Sequence, residues 1–393
     1  MKKQTFNNLN TYLIVALVIV VAIGLYFTLS VPVTKKEVAT PIPPREVQLT
    51  ILGKDCEDCF DIKSAVDFLK QQPNINVTGM TEKTIEESQD LTGKYGVSRL
   101  PALLVSGNIT NLTIPNFNLT EDALVFDQAP APYYDVAEKR IKGKVTALTI
   151  QDASCTKCFN ISQIVDQIKS AGIKVVSEQT IDATSAEGKE LIGKYKIEKI
   201  PTIIFNKEAL EYDVVSQVWS QVGTEESDGK LVLRFVNPPY VNISTGKTEG
   251  LVTMTMLYDQ SCAECFNASV YEELLTQSFS MHVEKEEMLD VASNKGKYLV
   301  NKYNITSVPA VVLSKDAGMY PNLAQAWESV GTAEKDGSFT FRKVELLKSY
   351  FEQKGQSFAY KDLSTGQVLN GTGTKEAVTE EPEITAPENE TDN

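Results

Sequence analysis

Val47-Gln48-Leu49-Thr50-Ile51-Leu52-Gly53-Lys54-Asp55-Cys56-Glu57-Asp58-Cys59-Phe60 is the stretch that decides the fold. Apolar side chains alternate with Gln and Thr from Val47, the pattern of a half-buried strand. The run then reaches Cys-x-x-Cys-Phe and an amphipathic stretch. Two cysteines spaced i and i+3 where a helix opens share one face and lie close enough to bridge. The module recurs twice. Val145 to Ile150 precedes Cys155-Thr156-Lys157-Cys158-Phe159, and Val252 to Leu257 precedes Cys262-Ala263-Glu264-Cys265-Phe266. Together the copies use all six cysteines of the chain. Their leading cysteines stand at 56, 155 and 262, a domain-sized interval rather than a solenoid repeat.

Each copy continues in the same order. Ile161, Ile164, Val165 and Ile168 are spaced for one helical face, and Ile173-Lys174-Val175-Val176 reads as a second strand. A second helical stretch ends in Lys94-Tyr95-Gly96-Val97, Lys194-Tyr195-Lys196-Ile197 and Lys302-Tyr303-Asn304-Ile305. Each leads into an apolar-Pro strand start: Leu100-Pro101-Ala102-Leu103, Ile200-Pro201-Thr202-Ile203 and Val308-Pro309-Ala310-Val311. A β-α-β-α-β order with long crossovers predicts an α/β class, parallel pairing and helices on the sheet faces. The last two copies add a hairpin, Trp219 to Thr224 and Trp327 to Thr332, with Asp228-Gly229 and Asp336-Gly337 as two-residue turns. Both tryptophans are expected in the core or against the sheet edge. The first copy carries the Asn-rich Gly107 to Thr120 instead, and only the third keeps a closing helix, near Val344 to Gln353. The other two run into Pro130-Ala131-Pro132-Tyr133-Tyr134 and Pro238-Pro239-Tyr240, so neighbouring domains are expected to cover their bare faces.

A net charge of −14 over 393 residues argues against nucleic acid and against docking on anionic lipid. Thr11 to Thr34 holds no charged residue, long enough to span a bilayer as a helix. Ten Asn-x-Ser/Thr triplets follow it, beginning at Asn76, Asn108, Asn111, Asn118, Asn160, Asn242, Asn267, Asn304, Asn370 and Asn389. That excess fits a glycosylated, extracytoplasmic surface, as do cysteines with none left over. The expectation is a single-pass membrane protein whose C-terminal domains are extracytoplasmic.

Strand, Cys-x-x-Cys, helix, strand, helix and apolar-Pro strand resembles a thioredoxin-like domain, and the resemblance covers roughly Arg45 to Leu363. The expected layout is a short tail at 1–11, a transmembrane anchor at 12–31 and a Pro-rich linker at 32–45. Thioredoxin-like domains follow at 46–135, 141–243 and 248–363, then a disordered acidic tail at 364–393. Three tandem domains of mixed sheet flanked by helices, behind one anchor, look like protein disulfide isomerase-type thiol-disulfide oxidoreductases. That likeness implies protein thiols or disulfides as substrates, a redox partner protein, and no cofactor or metal. It also implies cis peptide bonds at Pro101, Pro201 and Pro309, each facing a disulfide and its substrate.

Helix-terminal N–H groups stabilise a thiolate, so Cys56, Cys155 and Cys262 are expected as nucleophiles with lowered pKa. Cys59, Cys158 and Cys265 are the resolving thiols. The family's Trp before the first cysteine is replaced by Asp55, Ser154 and Ser261, and its buried upstream acid by Thr50, Thr149 and Met256. Glu57 and Asp58 oppose a thiolate at Cys56, whereas Lys157 favours one at Cys155. One pKa unit is worth about 1.4 kcal/mol, or up to about 30 mV, so the second centre is expected to be most oxidising and the first least. Two other readings remain open: a scaffold or chaperone with static disulfides, and a metal protein. A closed zinc site wants four ligands, and the single His282 lies far from two of the pairs.

Overall fold

The computed structural model describes residues 44–370. They divide into two compact units, one of residues 44–236 with 240–247, the other of 237–239 with 248–370. The first unit holds the first two copies of the repeat and the second holds the third.

Each copy builds a five-stranded sheet of one order. In the first it runs Ile75–Lys83, Arg45–Leu52, Ala102–Gly107, Leu124–Phe126, Asn118–Leu119. The second runs Val175–Asp182, Val145–Gln151, Thr202–Phe205, Leu231–Leu233, Gly223–Glu225. The third runs Val283–Asp290, Val252–Tyr258, Ala310–Leu313, Phe339–Phe341, Gly331–Ala333. The first two strands in sequence pair parallel, as a helical crossover requires. The strand after the proline returns antiparallel, with Leu49 opposite Val105 in the first copy, so the sheets are mixed.

Period-two alternation loads both faces. In the first copy Val47, Leu49, Ile51, Leu103 and Val105 meet Val66 and Leu69 of the helix Lys63–Lys70. Leu52, Ala102 and Leu104 point the other way, towards Leu91 of the helix Gln89–Tyr95. The third copy repeats the plan, with Met254 and Met256 against Tyr271 and Leu275 of the helix Val270–Phe279. Closure of the first face differs between copies. The turn Val344–Leu347 and helix Lys348–Gln353 bring Phe351 into the third core. Ile109, Ile114 and Phe117 do so in the first. In the second, Ala209 and Tyr212 contribute from chain elements of their own, and Ala131 of the first copy packs against that core.

Several expectations change. Trp219 and Trp327 are buried, but they sit on the helices Trp219–Val222 and Pro321–Val330, and the hairpins begin only at the following glycine. Those glycines permit the abrupt change from helix to strand: a Cβ on Gly331 would stand 2.3 Å from the Thr340 carbonyl oxygen and 2.5 Å from Trp327 Nε1. The connecting turns are wider than two residues, since Glu226 N–H donates to Lys230 O and Glu334 N–H to Ser338 O. The first copy has the outer hairpin too, Asn118–Leu119 with Leu124–Phe126.

The expected span at 12–31 lies outside the described residues, as does the tail beyond 370. Among the described residues no helix is long and apolar enough to cross a membrane. The longest run to ten residues, about 15 Å at 1.5 Å per residue, half of a hydrocarbon core of about 30 Å. The fold class is therefore corrected to α/β units of mixed sheets with no membrane helix among these residues. The single-pass membrane localisation and the membrane contact through 12–31 are withdrawn with it. The third copy continues past 363, because Val368–Leu369 pairs with Tyr360–Asp362.

Candidate redox sites

Each Cys-x-x-Cys is bridged: Cys56–Cys59, Cys155–Cys158 and Cys262–Cys265, with Cα separations of 5.4, 5.5 and 5.5 Å. All six residues are half-buried. Contrary to the expectation that they open the helix, they occupy a tight turn before it. Cys59 N–H donates to Cys56 O at 3.2 Å, and Cys158 N–H to Cys155 O at 3.3 Å. The helices start only at Lys63, Ser162 and Val270. Asp61, Asn160 and Asn267 explain the delay. Each accepts a bond from the backbone N–H two residues on, closing an Asx turn between the cysteines and the helix. The macrodipole weakens within a turn, so it supports a thiolate less here than at a true helix start.

The peptide bonds Leu100–Pro101, Ile200–Pro201 and Val308–Pro309 are all cis. Cys265 Sγ lies 3.9 Å from the Val308 carbonyl oxygen, which sets this proline beside its disulfide. Cys155 and Cys158 pack with Ile197 and Ile200. In the third copy Tyr271 also donates to the Pro309 carbonyl at 2.9 Å, and burial pushes its phenol pKa up. Two further cis bonds, Ala131–Pro132 and Pro238–Pro239, were not expected.

Those two prolines introduce a closing strand the sequence reading missed. Tyr133–Asp135, Tyr240–Asn242 and Tyr360–Asp362 pair antiparallel with the two residues before each cis-proline. Leu100 faces Tyr134, Ile200 faces Val241, and Val308 faces Lys361. The strand's approach is pinned to the disulfide turn, since Phe60 N–H donates to Pro132 O at 2.7 Å and Phe266 N–H to Ala359 O at 2.9 Å. The signal was present as a threefold Tyr-x-Asp/Asn followed by an aliphatic residue.

Several charges around the pairs are partnered. Asp58 Oδ2 meets Lys144 Nζ of the second copy at 2.5 Å, and Oδ1 lies 4.0 Å from Lys174 Nζ. Lys144 holds the Asp58 carboxyl below the usual carboxylate range. Asp259, three residues before Cys262, binds Lys361 at 2.7 Å and the Ser261 hydroxyl at 2.6 Å. Burial pushes its carboxyl up, yet these two partners bring it below its ordinary value. Asp152 accepts from Ser154 in the same manner beside Cys155. His282 pairs with Glu284. No group of three or more His, Cys, Asp or Glu among the described residues is arranged to hold a metal ion.

No family model matches the chain. No curated protein matches it either. Among solved structures, it is similar to the AhpF component of the alkylhydroperoxide reductase of Enterococcus faecalis, with 25% identity over 44% of this chain and 82% of that one, at a TM-score of 0.15. A form of ERdj5 is 12% identical over 71% of this chain and 39% of that one, at 0.13. The zinc-bound form of human ERp44 is 12% identical over 72% and 87%, at 0.14. These neighbours are thioredoxin-fold redox proteins. The described residues themselves show one strand order used three times, parallel then antiparallel pairing, a Cys-x-x-Cys disulfide after each leading strand, and a cis-proline in each copy.

Proposed function

We infer that this chain is a thiol-disulfide oxidoreductase working through three Cys-x-x-Cys centres. The observation that carries the reading is the half-buried disulfide standing beside a cis-proline, seen most closely at Cys265 and Val308–Pro309. Cys56, Cys155 and Cys262 act as nucleophiles, with Cys59, Cys158 and Cys265 resolving. In a reduced centre the leading thiolate attacks a partner disulfide. That sulfur–sulfur bond breaks, one partner sulfur leaves as thiolate, and a mixed disulfide forms. The resolving cysteine gives its proton to solvent, attacks the leading sulfur and expels the second partner thiolate. The centre is thereby oxidised, one partner disulfide is reduced, and the reverse sequence oxidises a dithiol. Pro101, Pro201 and Pro309 form the wall against which the partner sulfur sits. The exchange chemistry alone is open to protein thiols and to low-molecular-weight thiols, and does not choose between them.

Trapping tests the reading. Cys59, Cys158 and Cys265 are replaced by Ser one at a time, and each variant is reduced and exposed to oxidised glutathione. A reductant-sensitive adduct on the leading cysteine of the altered centre is expected. Failure of all three to form one leaves only static cross-links.

A further inference from the structure

The closing strands bear on which partners reach these centres, an inference that rests on the oxidoreductase reading. An extended peptide docks on a sheet edge through main-chain N–H and C=O groups. Beside each disulfide the available groups belong to the residue before the cis-proline, and they are already taken. Val136 N–H donates to Ser98 O, Ile243 N–H to Glu198 O and Leu363 N–H to Thr306 O. Hydrogen-bonded pairs recur every second residue of an antiparallel ladder, so Leu100–Tyr134, Ile200–Val241 and Val308–Lys361 are the next such pairs. In the first and third copies the incoming segment also holds the N–H of the Phe just after the second cysteine. It thus bridges the two walls of the groove, the disulfide turn and the cis-proline.

The strand is anchored from behind. In the first copy Arg140–Lys142 pairs with it, and Arg140 binds Glu208 at 2.6 Å while Tyr133 donates to Glu211 at 2.7 Å. In the third, Lys361 reaches Asp259 and the Ser261 hydroxyl, next to Cys262. The cysteines themselves are half-buried rather than sealed off. A thiol that brings no strand with it still has a path to sulfur.

We propose that the closing strands are built-in occupants of the peptide-pairing edge, so that the three centres exchange with low-molecular-weight thiols and disulfides and exclude extended polypeptide. With glutathione as the thiol, one thiolate attacks the protein disulfide and frees one cysteine thiolate. A second attacks the glutathione sulfur of the mixed disulfide and frees the other. Two glutathiones become one glutathione disulfide, and the protein gains two electrons and two protons.

The test uses the intact chain and reads each centre by mass spectrometry of alkylated peptides. Opening rates are measured with glutathione and with an extended synthetic peptide carrying one cysteine. Each rate is scaled to the same reagent's rate on a small aromatic disulfide. The peptide is expected to be at least tenfold slower at all three centres. Tyr134→Pro removes a ladder N–H and is expected to raise the peptide rate at Cys56–Cys59 alone, towards that of glutathione, whereas Tyr134→Ala keeps the ladder and the low rate. A wild-type peptide rate equal to the glutathione rate overturns the proposal, and so does a folded Tyr134→Pro chain with the peptide rate unchanged. If that variant does not fold, the wild-type ratio decides. If glutathione opens no centre, the oxidoreductase reading falls and takes this inference with it.

Discussion

The first and third copies share a strand order, a disulfide and a cis-proline, yet they steady those parts differently. The third is self-contained. Tyr271 ties the helix after its cysteines to the cis-proline carbonyl, and Phe266 packs on Phe351 and Phe358 with ring centroids 5.1 and 5.5 Å apart. Its flanking Asp259 is balanced by its own Lys361. The first has Ala65 where the third has Tyr271, counted from the leading cysteine. It closes its core with Phe117 and Phe126, and its Asp58 is balanced by lysines of the second copy. The lesson is that a repeated scaffold fixes where the sulfurs stand, while the charge around them is set locally, in one case by a neighbouring repeat.

Removing what the third copy has and the first lacks breaks the comparison most strongly. Phe351→Ala empties a buried aromatic site, which costs about 3–5 kcal/mol. Denaturant unfolding is expected to show that loss in the third copy, and a loss below about 1 kcal/mol would mean the closing helix is dispensable. Tyr271→Phe is next. It strands the buried Pro309 carbonyl, at about 1–3 kcal/mol, and the same unfolding curves report it. A Tyr271→Phe chain as stable as wild type would show that the bond to Pro309 is not what separates the two copies.

Lys144→Met sharpens the electrostatic side. Without its nearest ammonium, the Asp58 carboxylate faces any thiolate at Cys56 or Cys59, which disfavours the reduced pair. The first centre should become more reducing by less than the about 30 mV that a tenfold change in equilibrium constant represents, with the other two unmoved. An upward shift would show that Asp58 does not act on the sulfurs. The smallest effect is acid sensitivity. Lys94–Tyr95–Asp122, Lys194–Tyr195–Asp228 and Lys302–Tyr303–Asp336 form the same trio, with each lysine 4.6–4.7 Å from its tyrosine ring centroid. Lys194 and Tyr195 hold Asp228 down to about 2. A depressed carboxylate stabilises the fold above its unfolded pKa of about 3.9 and loses that contribution as pH falls through the folded value. Asp228→Asn should therefore flatten the stability curve slightly between about pH 4 and 2. An unchanged slope would remove the trio from the account.

Much of this was legible in the sequence because it is periodic or repeated. Val47, Leu49 and Ile51 announce a strand by alternation, and Pro101, Pro201 and Pro309 recur at near-constant distance from their cysteines. The closing strands escaped because three residues are too few to carry a period, and only the first two are led by proline. The delayed helix start escaped because one side-chain bond from Asp61, Asn160 or Asn267 outweighs a helical pattern that looks continuous. Lys144 meets Asp58 across 86 positions, which no local pattern encodes.

The most direct measurement equilibrates the intact chain with glutathione buffers of graded potential and counts alkylated cysteines at each pair. Three two-electron transitions are expected within the glutathione range, with the second centre the most oxidising. Pairs that stay closed throughout would contradict this and leave three structural disulfides.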